Sequence, residues 1–379
     1  MGPLSGIRII ELAGIGPGPL AGMVLGDLGA DIIRVDRIKA SFVLDVAPKY
    51  AVHARSRRSI AIDLRRPEAV EIVLRLITTA DGLIDPFRPG VVERLGIGPE
   101  PCLKRNPKLV YGRITGWGQA GPLADKAGHD INYIALAGVL GVIGRKGEAP
   151  VPPLNLVADY GGGGMLLAVG MLAGLIESMK SGRGQVVDAA MIDGAALLLG
   201  MITGLRGAGL WSDERGTNLL DSGAHFYEVY ETRDGKNVAV GAIEPQFYAN
   251  LIDKLGLAGE ASPAQMDRAS WPAMKVRFAQ IFKTKTRDEW CAIMDEADTC
   301  VAPVLSIDEA PTHPHACARA AFVEVDGVQQ PSPAPRFSRT PSGKPAVAPM
   351  VGANTDEVLS EAKFSADEIA ALRAVGVVG

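Results

Sequence analysis

The chain has 379 residues, more than one ordinary domain holds, so two domains are expected. Hydrophobic residues make up 47% and charged residues 22%, with a net charge of −4, which allows a buried core and excludes nothing more exotic than strongly basic nucleic-acid or membrane-surface binders. The cysteines, Cys102, Cys291, Cys300 and Cys317, have no CxxC spacing, so no metal site or disulfide framework is expected and a reducing cytosol is the default compartment.

The N-terminal stretch from Met1 to Gly6 lacks the basic and apolar regions of a signal peptide. Residues 7–12 read as a strand, followed by a Gly/Pro turn and a helix from about Pro19 to Leu28. Residues 31–36 and 59–64 read as two further strands, with a helix from about Pro67 to Thr79. Residues 82–85 and 109–114 add two more strands, and the alternation with helices predicts an α/β fold with a parallel sheet. From about Asp130 to Leu205 the chain is mostly apolar and reads as helical. Its longest apolar run, Gly161 to Ile176, is slightly short for a membrane span and is flanked by Asp159 and Glu177, so a buried core helix is expected. A polar stretch, 211–222, leads into a predicted hairpin: 227–232, a turn at Asp234-Gly235, and 237–241. A helical segment from about Pro245 to Cys300, a proline-rich extended stretch at 328–350 and a final helix from Ser365 to Val375 complete the chain.

Gly16-Pro17-Gly18-Pro19-Leu20-Ala21 fits the G-x-G-x-x-G/A dinucleotide fingerprint, with Asp36 at the end of the next strand as the ribose acid. Two features argue against that site. Pro17 and Pro19 remove backbone N–H groups that would cradle a pyrophosphate, and Arg34 and Arg37 beside the acid suit a phosphate better than ribose hydroxyls.

Five segments, in order, carry a different pattern: Phe87-Arg88-Pro89-Gly90, Thr115-Gly116-Trp117-Gly118-Gln119, Gly128-His129-Asp130-Ile131-Asn132-Tyr133, Asn155-Leu156-Val157-Ala158-Asp159 and Ile243-Glu244-Pro245-Gln246-Phe247-Tyr248. Together they resemble the α-methylacyl-CoA racemases of the family III CoA-transferase superfamily, and the resemblance runs from the N-terminus to about Ser338. The Gly128–Tyr133 segment points to racemase rather than transferase. Pro86 departs from the family, which more often has a small polar residue or glycine there, and residues 40–52 match nothing.

The resemblance implies chemistry at the carbon next to a thioester carbonyl. Inverting that carbon requires a base on one face, an acid on the other and a group to hold the enolate oxygen. His129 and Asp159 stand at the positions the family uses. His129 titrates near neutrality and serves in either direction. Asp159 needs burial to become a useful base, and the glycines after it open a helix whose N–H groups would face the enolate oxygen. Taken alone, Asp159 reads as a helix N-cap, His129 as a core histidine and Glu244 as a helix-start acid. The resemblance makes all three catalytic, with Glu244 orienting His129 from the second domain. It places CoA contacts on Arg37, Ile62, Asp63, Leu64, Arg65, Pro86, Phe87, Arg88 and Arg94, and on Gly128, His129, Asp130, Ile131, Asn132 and Tyr133. Arginine suits the phosphates of CoA, which is part of the substrate, so no separate cofactor is expected. Methionines 165, 171, 191 and 201 read as ordinary core or as an adaptable acyl pocket.

The expected architecture is a large Rossmann-like parallel-sheet domain, residues 1–205, with a smaller α+β domain at 225–320 and a C-terminal segment, 321–379, returning to the large one. The family implies an interlocked obligate homodimer, while cysteine usage makes the cytoplasm the default and charge and hydropathy predict no nucleic acid and no membrane span. The acyl group is left open among a branched fatty acid, a sterol side chain and a short methyl-branched acid. Three rival functions stand: a CoA transferase with Asp159 as anhydride-forming nucleophile, a nicotinamide oxidoreductase on the Gly16–Ala21 turn, and a non-catalytic acyl-CoA-binding module.

Overall fold

Short runs rich in Ile, Val and Ala, too brief for helices, pair side by side as strands, and most of their residues are buried. The structure is a computed structural model that describes residues 2–38, 46–259 and 263–379. In chain order the elements are β1 (Arg8–Leu12), α1 (Pro17–Asp27), β2 (Asp31–Asp36), β3 (Arg58–Ala61), α2 (Pro67–Ile77), β4 (Gly82–Asp85), α3 (Val91–Arg94), α4 (Pro99–Arg105) and β5 (Val110–Thr115). There follow α5 (Asp130–Leu136), α6 (Val139–Val142), a π-helix (Leu156–Met165), α7 (Leu166–Ser181), β6 (Gln185–Ala190), α8 (Met191–Leu198) and α9 (Gly200–Gly207). The rest comprises β7 (Tyr227–Glu231), β8 (Asn237–Gly241), α10 (Pro245–Lys254), α11 (Trp271–Phe282), α12 (Arg287–Met294), β9 (Val301–Pro303), α13 (Pro314–Ala318), β10 (Phe322–Val325), β11 (Val328–Pro331), α14 (Thr355–Glu361) and α15 (Ala366–Ala374).

The chain divides into two compact units. The first gathers the residues up to Ala137, Leu154–Leu198 and Pro314–Gly379; the second gathers Gly138–Pro153 and Leu199–His313. The reading from sequence drew its boundaries at 205, 225 and 320, and did not separate the 138–153 excursion.

The first unit is the expected α/β layer structure. Its six strands run parallel in the order β3-β2-β1-β4-β5-β6, so the winding direction reverses between β1 and β4. One sheet face packs Ile10, Leu12, Ile33 and Val35 against α2 (Ile72, Val73, Leu76) and α14 (Val358, Leu359). The other face receives α1 and α7, and Met171 of α7 reaches Gly82 and Gly112, where a Cβ would lie 2.6 Å from its Cε and 2.5 Å from its sulfur. The outer edge of β3 is closed by the C-terminal segment: Asn354 N–H donates to Ser59 O at 2.9 Å and Gly379 N–H to Ala61 O at 3.0 Å. The apolar 156–181 helix is long and apolar enough to cross a membrane, yet half of its most apolar window is buried in the protein, on β5 and β6.

The sequence reading missed β6, which lies inside the stretch assigned as helical. β10 and β11 likewise form a hairpin where only extended chain was expected. The 40–52 stretch lies partly outside the described residues, at 40–45; its remainder forms short 3₁₀ turns at Pro48–Tyr50 and Val52–Ala54.

The second unit is built on the antiparallel sheet β7-β8-β9. Its hairpin turn contains Gly235 at φ +74°, a left-handed conformation that glycine adopts without strain. Tyr230, Val238 and Val240 of the sheet pack on Leu251 of α10, Phe278 and Phe282 of α11 and Trp290 of α12.

Candidate active site

The loops leaving the C-terminal ends of parallel strands line the crevice of a doubly wound sheet, above all where strand order reverses. Here that edge carries Gly14–Gly18 after β1, Arg37 after β2, Ile62–Arg65 after β3 and Pro86–Arg88 after β4. The fingerprint-like turn is closed rather than hollow. A Cβ on Gly14 would lie 2.6 Å from Pro86 Cγ, and one on Gly16, at φ +69°, would lie 3.2 Å from Asp159 Oδ2. Gly16 is thus a wall of the Asp159 site, and Pro17 and Pro19 sit buried within α1.

Asp159 lies inside the π-helix, not at its N-cap, which is Asn155. The Asn155 side-chain amide donates to Asp159 Oδ2 at 3.3 Å. The carboxyl is half-buried, and its pKa is raised first by that burial and then by the neighbouring Asp130 carboxylate, against the opposing pull of Asn155 and the His129 imidazole. A raised value makes Asp159 a stronger base than an exposed aspartate. The expected N–H donors at this helix start are in part engaged: Asp130 Oδ2 accepts from Ala158 N–H at 2.7 Å and Asp159 N–H at 2.8 Å.

The 128–133 segment is assembled around Tyr133. A Cβ on Gly116 would lie 2.2 Å from its ring, which meets Trp117 edge to face at 4.8 Å, and its hydroxyl donates to Gly128 O. These contacts explain the two glycines: only backbone fits under the ring. The Tyr133 phenol is pushed up to about 12 by burial and by Asp159, with Arg88 opposing, which puts Arg88 within electrostatic reach of the same spot. His129 is exposed at the start of α5, its N–H donating to Asn132 Oδ1 at 3.1 Å. Ile131 and Asn132 are exposed and Asp130 is buried.

Of the expected CoA contacts, Arg37, Arg65, Arg88 and Arg94 are exposed. Arg65 pairs with Asp63 at 2.9 Å, a surface pair that costs little to open for a phosphate. Ile62 is buried and bridges Val378, while Leu64 and Phe87 rest on the core. Beneath Pro86–Arg94 lies a network the sequence reading did not find. Asp85 Oδ1 accepts Phe87 N–H at 2.9 Å, Asp85 Oδ2 is 3.4 Å from Arg113 Nε, and Arg113 Nη1 reaches Glu93 Oε1 at 2.8 Å. It fixes both ends of the loop that presents Arg88 and Arg94.

In the second unit Glu244 is exposed at the start of α10, ahead of Pro245, with its carbonyl accepting Tyr248 N–H at 3.0 Å. The same unit holds an open, mainly apolar cavity of about 750 Å³, bounded by Val142, Val151, Trp211, Tyr227 and Val229. Of the four methionines, Met171 and Met191 are core, whereas Met165 and Met201 are exposed. Among the described residues no cluster of His, Cys, Asp and Glu is placed to hold a metal.

The chain is 50% identical over 378 residues to the alpha-methylacyl-CoA racemase of Mus musculus, covering 99% of this chain and 97% of that protein. It is 45% identical to the Homo sapiens protein of the same name, over 97% of this chain and 95% of that one. A CaiB/BaiF family protein from Brucella suis has the same fold, with a TM-score of 0.83 at 24% identity over 95% of this chain and 99% of that one. Residues 4–355 match the model of CoA-transferase family III, and the chain belongs to that family.

Proposed function

We propose that the protein is an α-methylacyl-CoA racemase, an isomerase that inverts the carbon next to a CoA thioester carbonyl. The observation that supports it best is Asp159: a half-buried carboxyl, raised in proton affinity and electrostatically coupled to a second proton carrier, His129. One group removes the α-proton, the thioester enolate forms, and the other returns a proton to the opposite face. Glu244 serves as the carboxylate that orients and charges His129. The arginines at the C-terminal edge of the sheet take the phosphates of CoA. The functional unit is a homodimer.

A CoA transferase would instead attack with Asp159 and form a mixed anhydride. Deuterated water separates the two. Given one enantiomer of a 2-methylacyl-CoA and no acceptor acid, a racemase incorporates deuterium at the α-carbon and drives the pool toward a near-equal mixture of epimers. His129→Ala and Asp159→Ala each lose exchange from opposite enantiomers by about 10²-fold or more. Acyl transfer to added carboxylates without α-deuterium would overturn the racemase reading.

A further inference from the structure

Asp130 is 4% exposed, and a carboxylate is expensive to bury unless it is hydrogen-bonded. Its Oδ2 accepts two amides, Ala158 N–H at 2.7 Å and Asp159 N–H at 2.8 Å. Both belong to the first turn of the π-helix, whose N–H groups have no acceptor within the helix and whose dipole favours a negative charge there. Among the described residues the other oxygen, Oδ1, is buried without a hydrogen-bond partner. A side chain that only capped the helix would not require a charge with one face left unmet; serine, threonine or asparagine caps as well. We propose, on the racemase reading above, that Asp130 is a positioning residue for the reaction: it fixes the Asp159 turn through that residue's own amide and sets a second negative charge beside the Asp159 carboxylate, making it a stronger base.

The surroundings leave this role to Asp130. Among the described residues, α1 meets the π-helix with Gly16 at the carboxylate and Pro17 and Leu20 at Gly163 and Gly164. From α8 come Met191, Gly194 and Ala195, against Gly162 and Gly163. The helix itself contributes the neutral Asn155 amide. The charges acting on Asp159 are then His129, of opposite sign when protonated, and Asp130, of like sign; the neutral Tyr133 phenol lies in range of both carboxylates and of Arg88. Two carboxylates close together resist being ionised together. When Asp159 takes the α-proton, the electron pair of the C–H bond passes to the thioester enolate and the repulsion with Asp130 is relieved. The return step restores it, so the repulsion also helps Asp159 to act as a base in each cycle.

The test is Asp130→Asn, whose carbonyl oxygen keeps an acceptor for both amides while the charge is removed. In the direction where Asp159 is the base, the acidic limb of the pH–rate profile should move down by about one pH unit. The plateau rate should fall several-fold while KM stays within about twofold. Exchange from the other enantiomer, which starts at His129, should keep its own acidic limb. A ¹³C-carboxyl titration of Asp159, assigned by its loss in Asp159→Asn, should show the same downward displacement whatever reaction the protein catalyses. If Asp130→Asn does not fold, Asp130→Ser keeps a cap without the charge and is read in the same way. An unmoved limb and an unmoved Asp159 titration, with both directions slowed equally, would reduce Asp130 to scaffolding and sink the proposal. Full exchange activity in Asp159→Asn would sink the racemase assignment instead, and the carboxyl titration would still decide the role of Asp130.

Discussion

Asp85 ends an otherwise apolar strand with no solvent exposure, and its register partner on the next strand is Arg113. Burial pushes its pKa up to about 6, against the Phe87 amide and the Arg113 guanidinium. The sign of the linkage follows. Between about pH 4 and 6 the folded protein binds this proton and the unfolded chain, at an ordinary aspartate value, does not. Stability should therefore fall as pH rises through that window, by up to about 3 kcal/mol from this one group. Asp85→Asn should flatten that part of the profile, which thermal unfolding at a series of pH values will show; an unchanged slope would mean that Asp85 titrates normally. Neither Asp85 nor Arg113 was legible in the sequence, because each is a single charge in an apolar run and only strand register brings them together. His129 and Asp159 were singled out through the motifs around them. The Asp130–Asp159 amide contact was not, since it joins residues on different elements whose spacing in the chain says nothing about a turn-to-turn approach. Gly16 fits a nucleotide-binding pattern that its prolines argue against, and it packs against Asp159 instead, because a pattern of glycines records where backbone must come close but not to what.

The same reasoning applies to the glycine run at Gly161–Gly164. In the structure it lets the π-helix lie directly against α8: a Cβ on Gly194 would fall 1.8 Å from Gly162 O, and one on Gly162 would fall 2.6 Å from Ala195 N. Both nearest atoms are backbone, which cannot swing aside. Gly194→Ala should cost roughly 1–3 kcal/mol or more by forcing the two helices apart. Gly204→Ala, on a helix where a Cβ meets nothing within 4 Å, should be neutral or mildly stabilising. Urea unfolding of the pair checks this, and equal effects would remove the packing argument. Strands β2 and β4 and the β7–β8 hairpin were readable because apolar runs and an Asp-Gly turn mark their limits. β6 was not: Gln185, Val186 and Asp188 are exposed, so a strand of a parallel sheet appears without the continuous apolar pattern that normally betrays one.

At the scale of the molecule, that exposure continues onto α7. Met165, just ahead of it, and Val169, Ile176 and Met179 along it recur at helical spacing on one open face, and Leu197 and Leu198 are exposed on α8. On the homodimer proposed above, this apolar face is the surface that a second copy would cover. Light scattering should find a particle of twice the 39.8 kDa chain mass, persisting on dilution until the protein unfolds. A stable folded monomer would leave this face without an explanation. Length alone suggested two domains, but the 138–153 excursion into the second unit was not read, because the charged and proline-rich run at 145–153 marks a loop without saying which unit it joins.

The closure of β3 by the C-terminal segment sets an order on synthesis. Arg8 bonds Glu361, 353 positions later, and Arg58 bonds Glu361, 303 positions later. All six strands of the parallel sheet have left the ribosome by Ala190, yet the chain that seals the β3 edge and covers that side of the sheet is made only after them. During the interval a nascent chain carries a nearly finished sheet with a bare hydrogen-bonding edge, the kind of surface on which strands from other molecules add. Rapid expression at high concentration should therefore favour aggregates templated on β3, and slower synthesis or chaperone cover after β6 is made should favour the native sheet.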